Sequence, residues 1–408
     1  MTEGEDFVPD ENRLVGLLAG STSATRLYVT SYAGTVTTLD LTEGATSKLA
    51  TVTSTTACGA QPSWLHLDYS KSFVYCLDEA WGAPTGSITS FYTNANGSLT
   101  PLDKATLIAG PVNIAEFGVG GSGLAIASYA GSGVSVVRMA PEGGVDLIQN
   151  MTYTLDHPGT IPDRQDVPHP HQALLDPTAK FILVPDLGAD LVRVYQADAG
   201  NLKLTTLPPL QVAPGSGPRH GAFKTALNKT YYYVATELAN TIIGYEVLYN
   251  KNNTISFSKL FTIPTHGDNR TLPAGAAAGE IMVTPDGKFL IVSSRNEGSL
   301  EIPSFDTSKN GTDIPSDPLI VYSINSKTGS LTKVQEFPAG GLVPRHFSIN
   351  GDGNRLAVGL QGDGRVVIIK RDVQTGQLQN FVASANVAGE VNAVIFYEDY
   401  HVKRGNAV

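Results

Sequence analysis

The chain is made of short runs in which apolar and polar positions alternate, each closed by glycine, proline, asparagine or aspartate. Period-two alternation predicts β-strands, and no stretch keeps the 3.6-residue apolar rhythm of a helix. Six segments share one plan: an apolar run, a turn, then a second apolar run ending in polar residues. They read "SWLHLDYSKSFVYCLDE", "VNIAEFGVGGSGLAIASY", "HQALLDPTAKFILVPD", "RHGAFKTALNKTYYYVATE", "GEIMVTPDGKFLIVSSR" and "RHFSINGDGNRLAVGLQ". Pieces such as D-P-T-A-K and P-D-G-K carry hairpin turn chemistry. A third strand follows each pair, as in "LVRVYQAD", "TIIGYEV", "LIVYSIN" and "RVVIIKRD", and then a fourth, more variable run.

Four antiparallel strands returning every ~50–65 residues predict propeller blades. A single blade cannot bury both of its faces, so neighbouring blades must supply the core. The expected fold is all-β, a seven-bladed β-propeller with four antiparallel strands per blade. One blade is split: "RLYVTSYAGTVTTLDL" supplies its later strands and "VNAVIFYED", near the other end, its innermost one. Joining the two ends in one blade leaves no open sheet edge. Residues 1–24 read as an N-terminal extension and 25–408 as the propeller, with inserts at 152–168, 264–277 and 298–317. A β-sandwich is the competing architecture, but sandwiches do not repeat one strand cassette.

The repeat explains why Pro-Arg-His occurs twice, in "GSGPRHGAFK" and "GGLVPRHFSIN". In a propeller the first strand of each cassette lies innermost, and its start shares a rim with the end of the second strand. One column of rim residues reads Ser63, Val112, His171, Arg219, Gly279 and Arg345. The other reads Tyr32, Glu79, Tyr129, Leu187, Glu237, Arg295 and Gln361. Arg219, Arg295 and Arg345 should therefore converge on one mouth, where guanidinium groups fork onto carboxylate or phosphate. Ion pairs with Glu237 or Glu280 that stitch neighbouring blades are the alternative.

His171 and Glu237 supply a candidate general acid/base pair beside the arginines. Taken singly, His171 reads as a histidine bonded to a backbone carbonyl and Glu237 as an exposed hairpin carboxylate; their common rim favours chemistry. His220 and His346 follow the arginines, so strand alternation should turn them away, into packing between blades. The "HPH" at 169–171 lacks a carboxylate cluster at ligand spacing, so no metal is expected. With no G-x-S-x-G elbow and no glycine-rich loop leading into a helix, neither a serine nucleophile nor a nucleotide cofactor is expected.

Charge narrows the partners. The net charge is −10 over 408 residues, without a Lys/Arg run, which disfavours nucleic acid and anionic membrane surfaces. No segment approaches the length of a membrane span. The first residues lack the pattern of a signal peptide. Yet N-x-S/T sequons occur at Asn96, Asn150, Asn228, Asn252, Asn269 and Asn310, most of them in turn-like stretches. We expect a secreted glycoprotein lacking its leader; a cytosolic protein rich in Asn and Thr is the alternative. Cys58 and Cys76 bracket what reads as one hairpin, so a disulfide between them is geometrically possible.

The segments "PHPHQALLDPTAKFILVPDLGADLVRVYQ", "GSGPRH", "VATELANTI", "TPDGKFLIVSSR" and "PRHFSINGDGNRLAVGLQ" together resemble the seven-bladed propeller lactonase family. That family includes bacterial 6-phosphogluconolactonases and fungal carboxy-cis,cis-muconate cyclases. The resemblance runs from about residue 26 to 397 and is strongest between 168 and 370. It implies His171, Arg219, Glu237 and Arg295 as active-site groups; Arg345, Glu79, Asn113, Glu280 and Tyr129 are the candidate substrate contacts around them. Asn113 stands where the family often has a histidine. The implied activity is cofactor-free hydrolysis of a lactone, or the related cyclisation of a muconate, on a small anionic substrate. A secreted propeller that only binds an anionic or carbohydrate ligand at its mouth is the competing class.

Overall fold

The computed structural model describes residues 24–68, 72–306, 308 and 311–397. Residues 1–23 of the expected N-terminal extension, and Asn310, lie outside the described residues.

Seven four-stranded antiparallel sheets ring a central channel. Blade 1 spans 62–108, blade 2 111–152, blade 3 174–211, blade 4 218–264, blade 5 277–338 and blade 6 344–386. Blade 7 pairs the C-terminal strand Val391–Tyr397 with Thr25–Ser31, which continues into Thr35–Thr42 and Lys48–Thr55. The ring is thus closed as the sequence implies.

Seven apolar clusters lie between adjacent blades. One, for example, joins Leu27, Val29 and Val394 of blade 7 to Ala357, Val366 and Ile368 of blade 6. Each blade completes its core only against its neighbours, the expected economy of a repeat fold. The turns follow their residues: Asp176 accepts the amides of Thr178, Lys180 and Phe181, closing D-P-T-A-K around Ala179 at φ 57°.

Cys58 and Cys76 are disulfide-bonded with Cα atoms 5.9 Å apart. The bond does not close a hairpin. Cys58 follows the outer strand of blade 7 and Cys76 lies in the second strand of blade 1, Phe73–Asp78, so the bond staples two blades. The insert at 298–317 folds in part as a ribbon of Leu300–Pro303 against Asp313–Ser316. Asn96, Asn150, Asn228, Asn252 and Asn269 are all exposed. No helix among the described residues is long and apolar enough to cross a membrane.

Candidate active site

The innermost strands do not simply alternate. In blade 4, Pro218 pairs with Thr236 but His220 with Ala235, leaving Arg219 as an extra residue. The same one-residue bulge falls at Ser63, Val112, Gly279, Arg345 and, in blade 7, Asn392. A bulge re-aims the side chains that follow it. Here it sends two neighbours towards the channel instead of one. The arginine comes first, near the mouth, and the histidine second, below it.

The glycines before each Pro-Arg-His have local causes. Gly217 has φ 59°, and a Cβ there would sit 2.4 Å from the Leu238 side chain. At Gly341 a Cβ would collide with the Asp363 carboxylate. Gly279, the bulged residue of blade 5, has Ser293 Oγ only 2.4 Å from where a Cβ would lie, and its carbonyl accepts a 2.9 Å hydrogen bond from Arg219.

Glu79, Trp81, Tyr129, Arg164, His171, Glu237, Arg295 and Arg345 line a cleft of about 280 Å³ at the mouth. Beneath it lies a polar cavity of about 10 Å³, bounded by Arg219, His220, His346, Trp64 and Asn392, of a size to hold a single water. The two sequence columns therefore do meet, and an insert joins them.

Glu237 is the electrostatic hub. Its Oε2 lies 2.9 Å from Arg219 Nε and 2.7 Å from Arg295 Nη2, and Arg164 Nη2 takes Oε1. Burial pushes this carboxyl up, but the charges of Arg295, Arg219 and Arg164 win and hold it far below the ordinary carboxylate range. Glu237 is thus neither an exposed hairpin carboxylate nor a group suited to exchanging a proton near neutral pH. Its ionised form orients three guanidinium groups. Burial and the neighbouring Arg295 in turn lower Arg219 to about 9, and Arg219 lies under the cleft instead of lining it.

Arg345 differs. It lines the cleft and has no ion pair among the described residues; burial opposes its charge, and Tyr32 and Glu79 favour it most. Glu79 accepts a hydrogen bond from the Tyr32 hydroxyl, and burial raises its pKa although Arg345 opposes the shift. Tyr129 stacks on His169 with ring centroids 4.1 Å apart, and His169 meets Asp166 at 2.9 Å.

His171 opens blade 3, where its amide donates to the Pro185 carbonyl, and its ring reaches the cleft. Burial first, then Arg219, His220 and Arg345, depress its pKa well below the usual histidine value, so it is a neutral base near pH 7.

Two residues expected at the substrate do not line the cleft. Asn113 is buried and its Oδ1 accepts the Ala173 amide at 3.0 Å, tying blade 2 to blade 3. Glu280 is buried beneath the cleft, against His220. Conversely, Arg164, Asp166 and Trp81 escaped the sequence reasoning. The first two sit in the 152–168 insert, where no repeat assigns a position, and their one signal was charge in "PDRQD" just ahead of His171.

The family described as "Lactonase, 7-bladed beta-propeller" matches residues 26–396. An Arthroderma benhamiae protein named "Probable 6-phosphogluconolactonase" is 32% identical over 332 residues, 80% of this chain and 78% of that one. A 6-phosphogluconolactonase of Formosa agariphila is 27% identical, covering 82% of this chain and 88% of its own. Among solved structures, a periplasmic gluconolactonase of Pseudomonas aeruginosa superposes with a TM-score of 0.70 at 22% identity, over 92% of this chain and 99% of that one, a likeness of fold.

Proposed function

This chain belongs to the seven-bladed β-propeller lactonase family, and from that premise we propose that it hydrolyses a small sugar lactone bearing an anionic group. The observation that carries the proposal is His171, a buried neutral imidazole on the cleft wall beside an arginine with no ion pair among the described residues. The 6-phosphogluconolactonase names of the relatives support the same reaction class.

Water attacks the carbonyl carbon while His171 takes its proton. The carbonyl electron pair moves onto oxygen, where Arg345 offsets the new charge. When that pair returns, the ring C–O bond breaks and the His171 imidazolium gives its proton to the leaving oxygen, releasing the hydroxy acid. Arg164, reaching in from the outer wall, takes the substrate's exocyclic anion; Glu237 keeps Arg164 and Arg295 in place. This assigns the proton to His171 alone, not to a His171–Glu237 pair. We further propose a secreted protein, which the disulfide and the five exposed sequon asparagines support.

The test is a panel of gluconolactone, 6-phosphogluconolactone and carboxymuconate followed by NMR. Ring opening of a lactone, lowered about 10²–10⁴-fold in kcat by His171→Asn, is the expected result. Turnover of the muconate alone would reassign the substrate to the cyclase branch. Anion binding that needs Arg164, without any turnover, would replace the enzyme by a binding propeller.

A further inference from the structure

Below the cleft, blades 3, 4 and 5 bring three buried groups into line. His171 Nδ1 lies 3.1 Å from His220 Nε2, and His220 Nδ1 lies 2.9 and 3.0 Å from the two oxygens of Glu280. All three are at most 6% exposed. We propose that Glu280 and His220 form a positioning pair that fixes the tautomer and orientation of His171, the base of the reaction proposed above.

The proton placement follows from what each atom can do. Burial pushes Glu280 up, but the hydrogen bond from His220 and the charge of Arg219 hold it below the ordinary carboxylate range, so it is ionised and can only accept. His220 Nδ1 must then carry hydrogen. Burial and Arg219 keep His220 neutral, which makes its Nε2 an acceptor. His171 Nδ1 must therefore donate to it. One basic lone pair is left, on His171 Nε2, and the His171 ring lines the cleft. A histidine whose second nitrogen is held this way presents the correct nitrogen to substrate without searching.

Three further contacts hold the line in place. The Ile281 amide donates to Glu280 at 3.0 Å. His346 accepts the Val394 amide at Nδ1, 3.2 Å away, so its proton sits on Nε2, 3.8 Å from Glu280. Trp64 packs edge-on against His346 and His220, with centroids 4.8 and 5.9 Å away. The bulge makes the line possible: without it, His220 and Glu280 would turn out of the channel.

The inference rests on His171 as the lactonase base, yet its first test needs no substrate. In ¹⁵N-histidine-labelled protein near pH 7.5, the His171 ring, assigned by loss of its signals in His171→Asn, should show a protonated Nδ1 and an unprotonated Nε2. A His171 found in the Nε2–H form overturns the proposal, whatever the activity. The second test is Glu280→Gln, whose amide can donate to His220 and so permits the reversed chain. Its kcat should fall about 10²-fold with KM within about twofold, the mark of a group that positions without binding. The His171 nitrogen shifts should move towards the other tautomer, as a merely structural role would not require. Unchanged kcat and unchanged shifts in a folded Glu280→Gln protein also overturn it. If no lactone is turned over but the labelled wild type shows the assigned tautomer, the hydrolase reading fails while the positioning pair stands.

Discussion

Blades 4 and 6 begin with the same three residues and bulge at the same one, yet the two Pro-Arg-His stretches do opposite things. In blade 4, Arg219 is consumed internally by Glu237 and the Gly279 carbonyl. Blade 6 leaves Arg345 facing the cleft. The difference lies one strand away. The second strand of blade 4, Lys229–Thr236, is followed by Glu237; that of blade 6, Arg355–Leu360, is followed by Gln361, a neutral side chain engaged with Glu390 at 2.9 Å. The histidines diverge as well. His220 turns Nδ1 to a carboxylate supplied by blade 5, and His346 turns Nδ1 to an amide supplied by blade 7, so the two rings are opposite tautomers. The repeat delivers a side chain to a place, and the neighbouring blade decides what it does there.

The largest effect should come from removing the group that makes blade 4 special. Glu237→Gln leaves Arg219, Arg295 and Arg164 crowded without their common counterion. Uncompensated buried charge of this kind costs about 3–5 kcal/mol. Calorimetry should show a much lower Tm, while Arg345→Met, with no ion pair to break, should leave Tm almost unchanged and lower kcat/KM. Equal Tm values for the two variants would mean that Glu237 does not organise the arginines.

Acid should separate the histidines next. Burial chiefly, with Arg219 and Arg345 adding to it and Glu280 opposing, lowers His346 from the usual 6.5 to about 4. Because the folded state binds this proton less readily, the contribution is complete above pH 6.5 and is lost as pH falls from there towards 4. The loss is about 1.4 kcal/mol per pH unit for one such group. Denaturant unfolding of His346→Gln should show a flatter pH dependence than wild type across this window. An identical slope would mean that His346 is charged in the native protein.

The smallest effect should come from making blade 6 imitate blade 4. Gln361→Glu offers Arg345 a carboxylate of its own and so competes with the substrate. kcat/KM should fall about tenfold, the scale of one weakened charged hydrogen bond, with the fold intact by circular dichroism. No change would place Arg345 out of reach of the lactone carbonyl oxygen.

Much of this architecture was legible in the residues. The strand cassette carried the seven blades, the split blade and both rim columns, because period-two alternation and turn residues are local signals. The convergence of His171, Glu237, Arg295 and Arg345 followed from position in the repeat alone. What escaped was non-local or off-period. One extra residue in the first strand defeats alternation, so His220 was turned the wrong way and Glu280 was placed in the mouth. Asn113 was expected at the substrate because it stands where the family often has a histidine, and that likeness says nothing about its partner across the blade boundary, the Ala173 amide. Arg164 came from an insert with no counterpart in other cassettes. Cys58 and Cys76 do bond, but between two blades instead of within the single hairpin the spacing suggested.

The strand Val391–Tyr397 also sets an order of events. Its Ala393 amide meets Thr30, 363 residues earlier in the chain, and the next residue supplies the amide that fixes His346. During synthesis the first three strands of blade 7 are made early and must wait for their fourth until nearly everything else has emerged. Contacts so distant in sequence form slowly. The channel beneath the cleft is therefore completed last, by the same clasp that shuts the ring, and an unclasped chain could hold six formed blades without a finished catalytic floor.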